Sequence, residues 1–235
     1  MKYMGSKNRI AKHILPIMLE YRGSRPWVEP FVGGGNMIDK VKGDRIGYDL
    51  NPNAIDALIL IRDSLHLIPK NNQEFTEADF KNKSADRPWL TGFASFAYAF
   101  GGDGGWARGK NAKGVPRDFV AESYRNALKQ SPFLQGVFLQ QKSYKEIELS
   151  EPSLLYCDPP YKGTSKYKTG NFNHDAFWSW CNFMANNGHI VFVSEYSAPS
   201  WAKVLWEKEV SSGLKRSTKE HKKRTEKLFL VEPSS

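Results

Sequence analysis

The feature that most constrains the fold of this chain is the order of its segments. Short apolar segments, typical of strands, alternate with amphipathic segments, typical of helices, and a glycine turn follows the first strand. They predict, in the first 65 residues, a helix at Lys7–Tyr21, a strand at Trp27–Glu29, a helix from Met37, a strand at Arg45–Asp49 and a helix at Pro52–Leu65. Strands that alternate with helices in this order form open, mainly parallel sheets. We therefore predict an α/β fold.

The alternation stops at residue 66 and resumes at residue 136. The later elements are predicted as strands at Gly136–Gln140, Ser153–Cys157 and His189–Ser194, helices at His174–Asn186 and Ala198–Trp206, and two antiparallel strands near Glu207–Ser211 and Lys227–Val231. The middle is predicted to hold helices at Trp89–Phe100 and Asp118–Gln130 around a glycine-rich mobile loop, Gly101–Gly114. We therefore predict one α/β domain, residues 1–65 and 136–235, with a mainly helical subdomain inserted at 66–135.

The charge of the chain suits an anionic partner. Its formal net charge is +9, and basic residues cluster in Gly104–Arg117 and Gly213–Lys227. Clustered cations favour nucleic acid, because phosphate contacts act together. A solvated basic surface explains the same residues. The candidate DNA contacts are Trp106, as a wedge into the base stack, together with Arg108, Lys110, Asn111, Lys113, Arg117, Lys222, Lys223 and Arg224.

Other classes are disfavoured by composition. Two cysteines, Cys157 and Cys181, do not make a disulfide framework and fit a reducing cytosol. No segment approaches the ~20 apolar residues of a membrane span, so we expect no membrane partner. We see no cluster of metal-binding carboxylates and expect no metal.

The glycine turn follows the first strand and carries Phe31, Gly33 and Gly35. Glycine lets the backbone approach a ligand closely, and Asp49 at the end of the next strand can accept both hydroxyls of a ribose. Together they favour a nucleoside-type cofactor over a plain tight turn. Tyr3 and Lys7 could stack on that cofactor and neutralise part of it, although a helix entry with a surface lysine explains them too.

A second turn, Asp158-Pro159-Pro160-Tyr161, follows an apolar strand. Neither proline has an N–H, so the turn presents hydrogen-bond acceptors and no donors at the carboxyl end of a strand. The Asp158 carboxylate and the Pro159 carbonyl can each accept one N–H of an exocyclic amine, and Tyr161 can stack on the base. Phe172 and Phe177 are candidates for the far wall of a base pocket, with core packing as the alternative.

In these motifs the chain resembles the Dam-like DNA adenine-N6 methyltransferases, of the α-group amino-methyltransferases. The matching motifs are Tyr3–Lys7, Val28–Asn36, Asp49–Asn51, Ser143-Tyr144, Asp158–Tyr161 and Lys222–Phe229. Their order along the chain is also that of the family. Gly101–Gly114 matches no recognition sequence that we can identify.

The resemblance implies a Rossmann-like class I methyltransferase sheet, mixed because of a C-terminal antiparallel hairpin. It implies S-adenosylmethionine as the cofactor, held by Tyr3, Lys7, Phe31, Gly33, Gly35, Asp49, Ser143, Tyr144 and Asp158. Asp158, Pro159 and Tyr161 would hold an adenine that is flipped out of duplex DNA. Such an enzyme acts in the cytoplasm of a bacterium or a phage-infected cell, either alone or beside a cognate restriction endonuclease.

Two alternatives stay open. Asp-Pro-Pro-Tyr turns also serve enzymes that methylate guanine N2 in RNA, and related turns serve cytosine N4 and glutamine amides. The second alternative is a DNA-binding protein on a decayed methyltransferase fold, which the intact glycine turn, Asp49 and Asp158–Tyr161 disfavour.

Overall fold

The computed structural model describes residues 1–3, 5–82, 85–100, 104–162, 172–211 and 223–233. It has two compact units, one of residues 1–9 and 32–142 and the other of residues 10–31 and 143–235. Helix α1, Asn8–Arg22, begins in the first unit and continues in the second. No helix in the described ranges is long and apolar enough to cross a membrane.

In its described residues, the first unit contains a parallel strand pair and four further α-helices. Strand β2 (Arg45–Asp49) pairs in parallel with β5 (Val137–Gln141). Its helices are α2 (Pro52–Asp63), α3 (Glu77–Lys81), α4 (Thr91–Ala97) and α5 (Phe119–Leu134), and a short antiparallel pair joins β3 (Ala99–Phe100) to β4 (Gly105–Trp106). Helix α2 packs against both α4 and α5, around Leu58 and Ile61, which are fully buried.

The second unit contains a mixed sheet. Strands β1 (Trp27–Glu29), β6 (Leu154–Cys157) and β7 (Ile190–Glu195) are parallel. Strand β9 (Lys223–Val231) pairs antiparallel with β7, and β8 (Ala202–Ser211) pairs antiparallel with β9. Helix α6 is His174–Asn186. The predicted α/β class, with a mixed sheet and a C-terminal antiparallel hairpin, is confirmed.

The predictions for β1, β2 and α6 agree with the structure at both ends, whereas the helix predicted from Met37 is wrong. Only one turn of 3-10 helix forms, Ile38–Lys40, because the chain is extended again at Val41 and turns at Gly43, with φ of 79°, into β2. The helix predicted at Trp89–Phe100 is also too long, since α4 ends at Ala97 and the chain continues as β3.

The helix predicted at Ala198–Trp206 is wrong as well, because β8 begins at Ala202. A register shift between Val204 and Trp206 disturbs the alternation of side chains that would have indicated a strand. Irregularities of this kind leave a residue unpaired and are common in edge strands. The two C-terminal antiparallel strands are confirmed and are longer than predicted.

The segment predicted as a mobile loop holds regular structure where it is described; residues 101–103 lie outside the described ranges. Residues 109–117 form a hairpin, with a β-bridge between Lys110 and Pro116. At its tip the Asn111 side-chain oxygen accepts the N–H groups of Lys113 at 2.9 Å and Val115 at 3.1 Å. Gly114, with φ of 78°, closes the tight turn at the tip by donating its N–H to the Asn111 carbonyl at 2.9 Å. The boundaries 66–135 stay a prediction, since this segment lies in the same compact unit as β2 and α2.

Candidate active site

Asp49 is a fixed carboxylate at the carboxyl end of β2. Its two oxygens accept the backbone N–H groups of Gly33 and Asn51, each at 2.9 Å. Burial raises the pKa of this carboxyl, and the two backbone hydrogen bonds act in the opposite direction. A carboxylate offers about four acceptor sites, so these bonds leave capacity for hydroxyl donors.

The glycine turn is shaped by close approach to Tyr3. Gly33 has φ of 49°, and a Cβ added there would lie 2.8 Å from Cε1 of the Tyr3 ring; one added to Gly34 would lie 2.6 Å from the Tyr3 Cβ. Side chains are therefore excluded at both positions. The structure thus brings together Tyr3, Gly33 and Asp49, three of the residues predicted to hold a cofactor.

Gly35 and Lys7 have local partners in the same unit. A Cβ on Gly35 would lie 3.0 Å from Leu58 Cδ2, so this glycine allows α2 to pack closely. Lys7 is buried and its Nζ donates to the Gly5 carbonyl at 3.1 Å. Cofactor contact by either residue stays a prediction.

Phe31 and Tyr144 lie in an aromatic cluster of the second unit. The Phe31 ring is 5.5 Å from Tyr144 and 5.6 Å from Phe177, and Phe172 packs on all three rings. Phe177 is fully buried, which favours core packing over a wall of the base pocket. Ser143 caps a 3-10 turn at Tyr144–Glu146, where its hydroxyl and the Glu146 side chain form a capping box.

The turn Asp158–Tyr161 extends from the carboxyl end of β6, all four residues of which are buried. Strand β6 pairs on both sides, with β1 and with β7, so the start of the turn is rigidly held. Pro159 is buried, while Asp158 and Tyr161 are half-buried. The turn is therefore anchored at its start by the paired strand β6, and its side chains at 158 and 161 remain partly accessible to solvent.

Tyr161 is held by Glu226, within β9, and by Tyr196, which follows β7. Its hydroxyl donates to Glu226 Oε1, and its ring packs edge-on against Tyr196, with centroids 4.7 Å apart. Burial, with the nearby charges of Asp158 and Glu226, raises the pKa of Tyr161 well above its ordinary value. The hydroxyl is thus a neutral donor.

Glu226 and Glu195 were missed from sequence, although each carries a signal. Glu226 shares one face of β9 with Leu228 and Leu230, both buried, so an acid stands where the alternation calls for an apolar residue. Glu195 is at the carboxyl end of the parallel strand β7, where α/β sheets place ligand chemistry. Both are at most 6% exposed.

The candidate DNA contacts in the first unit fall into two groups, those whose side chains contact other residues of the unit and those exposed on a hairpin. Arg108 pairs with Glu77 at 2.6 Å, Arg117 pairs with Glu122, and the Trp106 ring packs on Phe80 at 5.6 Å. Lys110 and Lys113 are exposed on the hairpin formed by residues 109–117. DNA contact by all of these residues stays a prediction.

In the second unit, the Arg224 guanidinium lies 5.1 Å from the centroid of the Tyr196 ring. Lys223 is the first residue of β9, and Lys222 lies outside the described residues. No group of three or more histidine, cysteine, aspartate or glutamate side chains suited to a metal ion occurs in the ranges that the structure describes.

Residues 3–87 match the model of a protein family, the D12 class N6 adenine-specific DNA methyltransferases. The resemblance noted from the motifs is confirmed over this stretch, which includes Tyr3, Lys7, the glycine turn and Asp49. The Asp158–Tyr161 turn lies outside it. The match supports a methyltransferase as the class of enzyme.

Solved structures give weaker likenesses. The rRNA methyltransferase aviRa from Streptomyces viridochromogenes is 12% identical, with a TM-score of 0.45 over 97% of this chain and 86% of that chain. A Listeria monocytogenes protein described as a predicted N6-adenine-specific DNA methylase is 10% identical, with a TM-score of 0.41 over 97% of this chain and 51% of that one. The chain thus spans about half the length of the latter. No curated protein sequence matches the chain. Similarity at these scores identifies no substrate.

Proposed function

We propose that this chain is an S-adenosylmethionine-dependent DNA methyltransferase that modifies the N6 amino group of adenine in duplex DNA. The observation that carries the proposal is the Asp158–Tyr161 turn, which extends from the buried strand β6 with its tyrosine ring fixed by Glu226 and Tyr196. The family match over residues 3–87 supports the same activity.

The residues of the first unit fit a nucleoside cofactor. Asp49 is held by two backbone N–H groups and retains acceptor capacity for ribose hydroxyls. The glycines at 33 and 34 have no Cβ, so Tyr3 packs directly on the turn whose Gly33 N–H holds Asp49. S-adenosylmethionine, when bound, supplies a methyl group activated by a sulfonium. Tyr3, Gly33 and Asp49 are the residues that we assign to hold it.

The turn in the second unit is suited to orient an exocyclic amine. The amine of adenine is a poor nucleophile, because its lone pair is delocalised into the ring. The Asp158 carboxylate and the Pro159 carbonyl accept its two N–H bonds, which leaves the lone pair available for the methyl carbon. Orientation of this kind can lower a barrier by ~7–11 kcal/mol, so it is expected to be the main source of catalysis.

Duplex DNA is proposed as the substrate because the hairpin formed by residues 109–117, in the first unit, carries exposed cations. Lys110 and Lys113 lie near the tip of the hairpin, where phosphate contacts would position the duplex. The N6 amine is enclosed by the base stack, so adenine must be flipped out before transfer.

A methylation assay tests this function. The protein is incubated with labelled S-adenosylmethionine and either duplex DNA or RNA, and the modified nucleosides are identified. We expect N6-methyladenine in DNA. Label in RNA guanine or in DNA cytosine would instead support the amino-methyltransferase alternatives.

Asp158→Ala should abolish transfer while DNA binding stays largely intact. Asp175→Ala, which removes an exposed aspartate from the first turn of α6, is the matched control. Retained turnover in Asp158→Ala would remove Asp158 from the mechanism. A wild-type protein that binds DNA but does not bind S-adenosylmethionine at millimolar concentration would favour a decayed enzyme.

A further inference from the structure

Two buried glutamates of the second unit lie beside the Asp158–Tyr161 turn, and the proposed chemistry uses neither. Glu195 is 1% exposed and Glu226 is 6% exposed. Burial of a carboxylate is unfavourable unless hydrogen bonds compensate for the lost hydration. The partners of these two side chains therefore indicate what they do.

Glu226 fixes the far end of the Tyr161 ring. The Tyr161 hydroxyl donates to its Oε1. A tyrosine ring has two side-chain torsions, and a hydrogen bond at the hydroxyl restrains both of them. The edge contact with Tyr196 restrains the ring from a second direction.

Glu195 fixes the backbone that follows the ring. Its Oε1 accepts the N–H of Lys162 at 2.6 Å, and its Oε2 accepts the N–H of Tyr196. One carboxylate thus holds both the residue after Tyr161 and the residue whose ring packs on Tyr161. Burial raises the pKa of Glu195, and the neighbouring charge of Glu226 acts in the same direction. The two carboxyl groups, of Glu195 and Glu226, thus lie close together although like charges repel.

We propose that Glu226 and Glu195 are positioning residues for methyl transfer. They hold the Tyr161 ring in the orientation in which it stacks on the flipped base, and they act through Tyr161 and Lys162. This inference rests on the proposed function. It assigns a role in the reaction to the C-terminal hairpin, which carries Glu226 on β9.

A variant in which Tyr161 is displaced should lose activity without losing its fold. Base stacking on an aromatic ring contributes ~1–3 kcal/mol, and a displacement of about 1 Å in a catalytic arrangement can lower the rate about 10²-fold. The loss should appear in kcat and in base binding. Affinity for S-adenosylmethionine should be unchanged, because neither the two glutamates nor Tyr161 is among the residues assigned to the cofactor.

The test is a double-variant cycle on the full chain, with kcat, KM for DNA and cofactor affinity measured for each protein. We expect Glu226→Ala to lower kcat by on the order of 10- to 10²-fold. Glu226→Gln keeps an acceptor oxygen and should recover most of the activity. Tyr161→Phe loses the hydroxyl, and adding Glu226→Ala to it should cause no further loss. Glu232→Gln, at a side chain 56% exposed just beyond β9, is the matched control.

Losses that multiply in the double variant would overturn the inference, since independent residues contribute additively in free energy. An activity loss in Glu226→Ala that equals its loss of folded protein would do the same. NMR of ¹³C-labelled tyrosine gives a second readout that does not need activity. The Tyr161 ring signals should shift in Glu226→Ala and remain in place in Glu232→Gln.

This second readout separates the two proposals. A wild-type protein that methylates neither DNA nor RNA would overturn the proposed function, and the role of the glutamates in transfer with it. Tyr161 signals unchanged in Glu226→Ala, in a wild-type protein that is active, would overturn the positioning role alone.

Discussion

At the scale of single residues, two glycines with positive φ have different surroundings. Gly33 faces the Tyr3 ring, whereas a Cβ on Gly136, with φ of 73°, would meet nothing within 4 Å. An L-residue in the left-handed region costs roughly 1–2 kcal/mol. Only Gly33→Ala adds a steric clash to that strain.

We therefore predict that Gly33→Ala lowers the free energy of unfolding by more than Gly136→Ala does, and that it also weakens cofactor binding. Urea unfolding and calorimetry with S-adenosylmethionine measure the two effects. In a Tyr3→Ala background the excess destabilisation should disappear. Equal destabilisation by the two glycine substitutions would show that Tyr3 moves away without cost.

The raised pKa of Glu195 gives a prediction with a definite sign. Because burial favours the protonated carboxyl, the folded protein binds this proton more tightly than the unfolded chain does. The resulting contribution to stability is fully present below the ordinary value of 4.5 and is lost as pH rises through the folded pKa.

Unfolding of the wild type and of Glu195→Gln should be compared from pH 4 to pH 8. The stability of the wild type minus that of the variant should decrease as pH rises above about 4.5. Glu232→Gln, at an exposed site, is the control. If the stability of the wild type relative to Glu195→Gln increased with pH, burial would not be raising the pKa of Glu195.

At the scale of elements, the hairpin 109–117 depends on one side chain at its tip. Asn111 accepts two backbone N–H groups there and also pairs its own N–H with the Val115 carbonyl at 2.9 Å. All of these hydrogen bonds form within the chain itself. Ordering one residue costs roughly 1–2 kcal/mol, so a preformed hairpin avoids this cost on binding.

Asn111→Ala should lower DNA affinity about tenfold, which corresponds to ~1.4 kcal/mol, and leave cofactor affinity unchanged. Fluorescence anisotropy with labelled duplex measures the first and calorimetry the second. Asn126→Ala, on the exposed face of α5, is the matched control. Equal DNA affinity for the two variants would indicate that the hairpin does not contact DNA.

Elements were predicted well where one physical signal dominated. Strands β1 and β2 are short segments bounded by turn residues, and helix α6 follows the cap Asn173, whose side chain accepts the Ala176 N–H at 2.9 Å. The start of β8 was missed because its register shift hides the strand period. The partners that hold Tyr161 were missed because Glu195 and Glu226 are distant in sequence and meet only in the folded chain.

At the scale of the whole molecule, the net charge of +9 should make DNA binding strongly dependent on salt. A protein that contacts six or more phosphates loses about 10³-fold or more in affinity between 50 and 200 mM salt, through counterion release. We expect a loss of this order for DNA of arbitrary sequence. S-adenosylmethionine binding, measured in the same buffers, is the control and should change little. A shallow dependence for DNA would show that the charge is a solvated surface.

The two prolines of the turn Asp158–Tyr161 also act as a chemical filter. Residues 159 and 160 have no N–H to offer to a base that presents a carbonyl, such as the O6 of guanine or the O4 of thymine, whereas the Pro159 carbonyl can accept from a base that presents an NH₂ group. The product of a first transfer retains a single N–H, so one of the two acceptors would lose its partner. In the proposed arrangement, the two acceptors that select the amine therefore favour the transfer of a single methyl group to each adenine.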